Sequence, residues 1–163
     1  MIFFGHLGIG SALTRPFRRR DPYRAWRWLL LGTLLPDLID KPLYYGLSFA
    51  TGLKSADLGL ICGTRTFGHT LLLCAWIAGL GRFKRSDQFN ALAMGVLTHL
   101  ALDAVFDPAP GYLLWPLTSF PAMPFKDLRE HVMSWANIRL IAAEGIGALW
   151  LGFEARDYFR RRK

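Results

Sequence analysis

The chain has 163 residues, of which 52% are hydrophobic, a mean hydropathy of +0.22 and a formal net charge of +8. That length is most simply one domain, residues 1–163, and that hydropathy is high for a soluble protein of this charge. No charge-free apolar run reaches the length of a standard spanning helix. The basic cluster of the N-terminus follows its apolar part, the wrong order for a secretory signal peptide. Cys62 and Cys74, both in apolar surroundings, read as small hydrophobes and not as a disulfide framework or a zinc knuckle.

Five helices can be drawn in chain order. The first covers about residues 2–13, short and apolar, with His6 near its start. Asp21-Pro22, an N-cap residue followed by proline at the first helical position, opens the second. That helix runs through Trp28 to Leu35 and is interrupted at Pro36, with Asp37 and Asp40 beyond. Pro42, Gly46 and Gly52 make the next stretch irregular, with a short helix around residues 44–49. The third helix begins near residues 66–69 and ends at 79–81. Ser86-Asp87 caps the fourth, which carries His99 and Asp103 near its far end. These two stand four residues apart in an apolar run, hence on one helix face about one turn apart. A carboxylate buried there without a partner is costly. Pro108, Pro110, Pro116, Pro121 and Pro124 exclude regular structure until about residue 127. The fifth helix spans about residues 134–158, with Glu144 in its first half. No repeat and no usable period-2 strand signal is present. The expected fold is all-α: about five helices in a membrane-embedded bundle, with a Pro-rich loop between the fourth and fifth.

Positive charge falls in three bursts: residues 15–20 with Arg24 and Arg27, residues 82–85, and residues 156–163. The stretches between are too apolar for a nucleic-acid surface, and arginine interleaved with tryptophan at Arg24-Ala25-Trp26-Arg27-Trp28 suits a membrane interface. Helices one, three and five end at basic clusters, and helices two and four begin at them. An up-and-down arrangement therefore gathers the basic ends together, facing the cytoplasm by the positive-inside tendency. His6, Asp37, Asp40, His69, His99, Asp103 and Glu144 fall toward the other end or the middle. Arg24 to Asp37, His69 to Arg82, Arg85 to His99 and Glu144 to Arg156 each span roughly 18–21 Å of helix.

Three histidines and two to four carboxylates converging in an apolar bundle suit zinc, manganese or iron. Asp37, His69, His99 and Asp103 are the expected ligands, with His6 beside them. Asp40 reads as a ligand, a ligand's support or the general base. Plainer readings exist for each: Asp37 as a helix terminator, His69 as a poor cap, His6 as incidental, and Asp107-Pro108 as a turn. Glu144 pairs with Arg65 or Arg139 in this reading, and His131, beside Glu130 and Arg129 in a charged segment, is solvated.

Four separated motifs occur together: Gly5-His6-Leu7; Leu34-Leu35-Pro36-Asp37-Leu38-Ile39-Asp40; Arg65-Thr66-Phe67-Gly68-His69-Thr70; and Thr98-His99-Leu100-Ala101-Leu102-Asp103 followed by Gly111-Tyr112-Leu113-Leu114-Trp115-Pro116. In that order they resemble the YdjM-like family of bacterial inner-membrane proteins, described as metal-dependent hydrolases. The family is distantly similar to zinc-dependent phospholipase C and related zinc nucleases. By that analogy Asp37, His69, His99 and Asp103 hold one metal, and Asp103 bridges to a second near His6. The chain departs from the pattern at Pro36-Asp37-Leu38-Ile39-Asp40, one residue longer than the family's proline-Asp-x-Asp. It also has Thr64 where the family's His-Arg-Gly-x-Thr-His begins with histidine, and it lacks a late His-x-x-x-Glu pair. One or two metals, rather than three, follow.

The resemblance implies a membrane-bound metal-dependent hydrolase in the bacterial inner membrane. A metal-activated water would cleave a phosphoester, that of a lipid, with Asp40 as base and Arg65 steadying the phosphate. Residues 108–125, with Trp115 and Phe120, would form a lid or lipid-entry rim. The competing readings are a non-catalytic membrane protein with a structural metal and a small transporter or proton-relay protein.

Overall fold

The computed structural model describes residues 3–17, 22–106, 110–120 and 138–160. Among them are five α-helices and no strand: α1 (Phe4–Thr14), α2 (Pro22–Thr51), α3 (Leu71–Phe83), α4 (Asp87–Phe106) and α5 (Ile138–Arg160). One-turn 3₁₀ segments stand at Arg15–Phe17, Ser55–Leu58, Phe67–His69 and Pro110–Tyr112. The all-α expectation holds. Two boundaries differ from the sequence reading. The third helix begins at Leu71, because Thr70 is its cap: the Thr70 hydroxyl accepts from the Leu73 N–H at 3.1 Å. The larger difference is α2, which is continuous through Pro36 and Pro42 and absorbs the short helix expected at 44–49. A proline inside a helix removes one hydrogen bond and crowds the preceding turn, at about 3 kcal/mol. Here tertiary contact offsets that cost. α2 lies along α4, and the Thr33 carbonyl, in the turn before Pro36, accepts a hydrogen bond from His99 Nδ1 at 2.7 Å.

Contacts along the helices set their directions. Gly32 meets Leu92 and Gly95, and Thr33 meets His99, so α2 and α4 run parallel. α1 runs against both, with Gly10 beside Thr98 and His6 beside Asp103. α5 runs with α1: Glu144 lies at Phe4, Gly147 at Gly8 and Glu154 at Ser11. α3 runs back along α4, with Gly81 beside Asn90 and Cys74 beside Ala93. Arg15, Arg27, Arg82, Arg85, Arg156 and Arg160 consequently share one end of the bundle, and the His/Asp residues lie toward the other.

Two of these crossings depend on glycine. A Cβ on Gly95 would stand 2.2 Å from the Leu29 carbonyl oxygen, and one on Gly147 would stand 2.0 Å from that of Phe4. Such backbone approach is the packing mode of helices that cannot rely on expelling water. Ile77, Leu92, Ala93, Val96 and Leu100 form the apolar core between α3 and α4, with Leu35, Leu73, Phe89 and Leu113 against it.

Among the described residues no helix is long and apolar enough to cross a membrane. The longer helices are interrupted by charge: α4 carries Asp87 and Asp103, and α5 carries Glu144, Glu154 and Asp157. Large apolar side chains nevertheless face outward on α3, α4 and α5, among them Trp76, Leu97, Val105, Ile146 and Leu149.

Candidate metal centre

Five ligand-type side chains meet where α1, α2, α4 and the turn before α3 converge. His6 comes from the first turn of α1, whose first N–H groups, those of Phe3 and Phe4, donate to Glu144 Oε2 of α5 at 3.1 and 2.7 Å. A carboxylate at a helix N-terminus satisfies orphan donors and complements the helix dipole. Glu144 thus anchors the helix that carries His6. Asp37 comes from α2 one residue past Pro36, so it sits inside the helix instead of ending it. His69 comes from the 3₁₀ turn, and His99 and Asp103 from successive turns of α4, as their spacing requires.

His69 Nε2 lies 3.1 Å from His99 Nε2, 3.6 Å from Asp37 Oδ1 and 3.6 Å from Asp103 Oδ2. His99 Nε2 lies 3.7 Å from Asp103 Oδ2, and His6 Nε2 lies 3.3 Å from Asp103 Oδ1. The His6 ring stacks on that of His99 with centroids 3.9 Å apart. Ligand atoms of His6, His99 and Asp103 lie within 4.8 Å of one another, as do those of Asp37, His69 and His99. His6, His69, His99 and Asp103 are buried, and Asp37 is partly so.

These residues fit a divalent cation. The Thr33 carbonyl can only accept, so His99 carries its proton on Nδ1 and turns an Nε2 lone pair toward the cluster. His6 Nδ1 is buried without a hydrogen-bond partner, and Nε2 has only its approach to Asp103 Oδ1, a situation rare in native proteins unless something else binds there. Three imidazoles and two carboxylates form an N/O donor set of the kind that holds zinc, manganese or iron.

Electrostatics keep the donors in ligand form. Burial pushes His99 down to about 3, with the His6 and His69 rings acting the same way against Asp103 and Asp37. Burial pushes the Asp103 carboxyl up, but the His6 imidazole and the Arg65 guanidinium outweigh it and hold Asp103 well below the usual carboxylate range. Asp37 is also lowered: burial opposes, and Lys41, 2.6 Å from its Oδ2, together with His99 prevails.

Asp40, expected as the general base, is turned elsewhere. It is fully buried and accepts five hydrogen bonds: from Thr66 N (2.7 Å), Thr66 Oγ1 (3.0 Å), Gly68 N (2.9 Å), His69 N (3.2 Å) and His69 Nδ1 (2.7 Å). Both oxygens of this carboxylate are thus directed at the 66–69 turn and not at the ligand atoms of the cluster. Gly68 fits this cradle because a Cβ there would stand 2.6 Å from the Pro36 carbonyl oxygen. Arg65 reaches the cluster's edge, with Nε 3.1 Å from Asp103 Oδ2 and its guanidinium over the Tyr112 ring.

Tyr112, Thr33 and Lys41 are the site residues that sequence reasoning missed. Tyr112 is fully buried, with its ring 6.0 Å from that of His69. Lys41 had a readable signal, four residues after Asp37 on one helix; the other two depend on contacts across the fold. Part of the segment expected to form a lid is described, residues 110–120. The Leu113 carbonyl accepts from Leu71 N at 2.9 Å, and Trp115 stacks on Phe120 with both edge-on to Phe67, two residues from His69. Asp107, Pro108, Pro121, Pro124, His131 and the side chain of Arg139 lie outside the described residues.

A family model described as YdjM inner membrane protein matches residues 1–157. No curated protein and no solved structure matches the chain, and the expected likeness to phospholipase C finds no support there.

Proposed function

The chain belongs to the YdjM inner membrane protein family, and on that premise we propose that it is a metal-dependent hydrolase cleaving a phosphoester, that of a membrane lipid. His6, Asp37, His69, His99 and Asp103 would hold one or two divalent ions, zinc first and manganese or iron as alternatives. The observation that carries this reading is the convergence of these largely buried side chains, among which His6 Nδ1 has no partner and Nε2 only Asp103. A bound cation of this kind supplies Lewis acidity and a water that ionises near neutral pH.

The chain's own residues do the remaining work. Thr33 fixes the His99 ring through Nδ1. Arg65, already seated beside the cluster, is a fixed positive charge for a phosphate oxygen. Asp37, the partly exposed carboxylate of the group, shares one oxygen with Lys41, which keeps it ionised. The aromatic group of Phe67, Trp115 and Phe120 gives an apolar wall for an acyl chain. The outward apolar side chains of α3, α4 and α5 rest against the bilayer. The basic end lies on the cytoplasmic side, where anionic headgroups attract it.

The test is metal content by mass spectrometry on detergent-purified protein, followed by turnover of lipid phosphoesters. Wild type should carry about one or two equivalents, and His99→Ala and Asp103→Ala should carry none and turn nothing over. A metal-free wild type, with both variants equally stable, would remove the hydrolase reading.

A further inference from the structure

The buried carboxylate of Asp40 does not face the cluster, yet it is the most heavily hydrogen-bonded side chain at the site. Its two oxygens divide their donors unequally. Oδ1 takes Thr66 Oγ1 and Gly68 N; Oδ2 takes Thr66 N, His69 N and His69 Nδ1. Three of the five donors are backbone N–H groups of the turn that carries His69. They sit 26 to 29 residues away from Asp40 in sequence. The same carboxylate therefore grips both the backbone and the ring of one residue.

The consequence for the ring is chemical. An ionised carboxylate only accepts, so the 2.7 Å contact requires the proton of a neutral His69 on Nδ1. That leaves Nε2 unprotonated, and Nε2 is the atom that faces His99, Asp37 and Asp103. The other tautomer would set two lone-pair bearers against each other at Asp40 and point an N–H into the cluster.

We propose that Asp40 is a positioning residue: by accepting from Nδ1 and from the backbone of the 66–69 turn, it fixes His69 in the tautomer and orientation that present an Nε2 lone pair to the metal. This rests on the metal-centre reading above for its purpose, but the tautomer itself is a property of the metal-free chain. Carboxylates in this position behind a ligating histidine typically contribute roughly 10–100-fold to metal affinity.

The experiment is ¹⁵N NMR of the histidine rings in metal-free, detergent-solubilised full-length protein at alkaline pH, assigned with His69→Gln. It is paired with zinc titration of wild type, Asp40→Ala and Thr66→Val. Wild type should show His69 with the proton on Nδ1. Asp40→Ala should show a tautomer mixture or the proton on Nε2, with zinc affinity lower by roughly 10–100-fold. Thr66→Val removes one donor to the same carboxylate without touching His69, so it should lose stability and keep both the tautomer and the affinity. Wild-type His69 with its proton on Nε2 would overturn the proposal without any variant, which covers the case of Asp40→Ala failing to fold. An Asp40→Ala protein that keeps the Nδ1 proton and wild-type affinity would overturn it too. Absence of zinc binding by the wild type would strike the hydrolase reading, while the tautomer would still decide the role of Asp40.

Discussion

At the basic end of the bundle Ser11, Trp26 and Glu154 join α1, α2 and α5; toward the opposite end His6, Asp37, His69, His99 and Asp103 join α1, α2, α4 and the turn before α3. Both groups place polar side chains between packed helices, and they differ in whether donors match acceptors. Trp26 Nε1 donates to Glu154 Oε2 at 2.8 Å and to Ser11 Oγ at 3.0 Å, and Ser11 Oγ donates to the same Glu154 oxygen. In that knot each contact pairs a hydrogen with a lone pair. In the other group, two ring nitrogens with lone pairs approach to 3.1 Å, and His6 Nδ1 finds no partner while its Nε2 has only Asp103 Oδ1. A matched polar knot fastens helices; an unmatched one is what a bound cation would complete.

Metal removal should expose this difference most strongly. A ligand held at about a thousand times its Kd stabilises the folded state by about 4 kcal/mol, roughly 8–16 °C in Tm for a chain of this size. Chelation should lower the Tm of wild type by that order. His99→Ala should start low and not respond, whereas Glu154→Ala should respond as wild type does. Equal responses from both variants, read by thermal melts with and without chelator, would erase the distinction.

A smaller effect separates the two helix crossings. Gly95→Ala drives a methyl into the Leu29 carbonyl between α2 and α4, and Gly147→Ala drives one into the Phe4 carbonyl between α1 and α5. Each overpacked site should cost about 1–3 kcal/mol. Only Gly95→Ala should also weaken zinc binding, because α2 and α4 carry Asp37, His99 and Asp103, and the Thr33–His99 contact bridges them. Gly147→Ala disturbs the anchor of His6 alone, so its zinc affinity should fall less. Melting curves beside zinc titrations check both halves of the expectation.

The unmatched group was the legible one in the sequence, and the reason is physical. His99 and Asp103 stand at a helical interval in an apolar run, and His6, His69 and Asp37 each interrupt apolar sequence, so their burial costs could be seen without a structure. The antiparallel logic that gathered the basic ends also needed only helix lengths and charge positions. What stayed hidden depended on distant chain. Pro36 reads as a helix end because its local cost is plain, while the compensation comes from α4 some sixty residues on. Glu144 reads as an odd charge in an apolar helix, since its partners are backbone N–H groups about 140 residues earlier. Asp40 looks like one more ligand until the 66–69 turn folds back onto it; Ser11 carries no signal of its own, and Trp26 reads only as an interfacial aromatic.

Acidification of the metal-free protein gives the most graded contrast. His99 is held neutral by burial, down to about 3 from an ordinary 6.5. As pH falls below 6.5 the unfolded chain takes up a proton there and the folded chain does not, so stability present above 6.5 is lost progressively toward pH 3. The steepest slope for one such group is about 1.4 kcal/mol per pH unit, roughly 3–5 °C. Asp103 acts in the same sense at lower pH, because its lowered carboxyl contributes above 3.8 and that contribution fades below it. Melts of chelated wild type and chelated His99→Gln from pH 7 to 4 should therefore converge as the medium becomes acid, the variant lacking the group that titrates. Ser11→Ala, which alters the matched knot, should track wild type in parallel across the same range. If instead the wild-type and His99→Gln curves run parallel, His99 is not a neutral, buried imidazole whose single proton sits on Nδ1 against Thr33, and the lone pair assigned to its Nε2 goes with it.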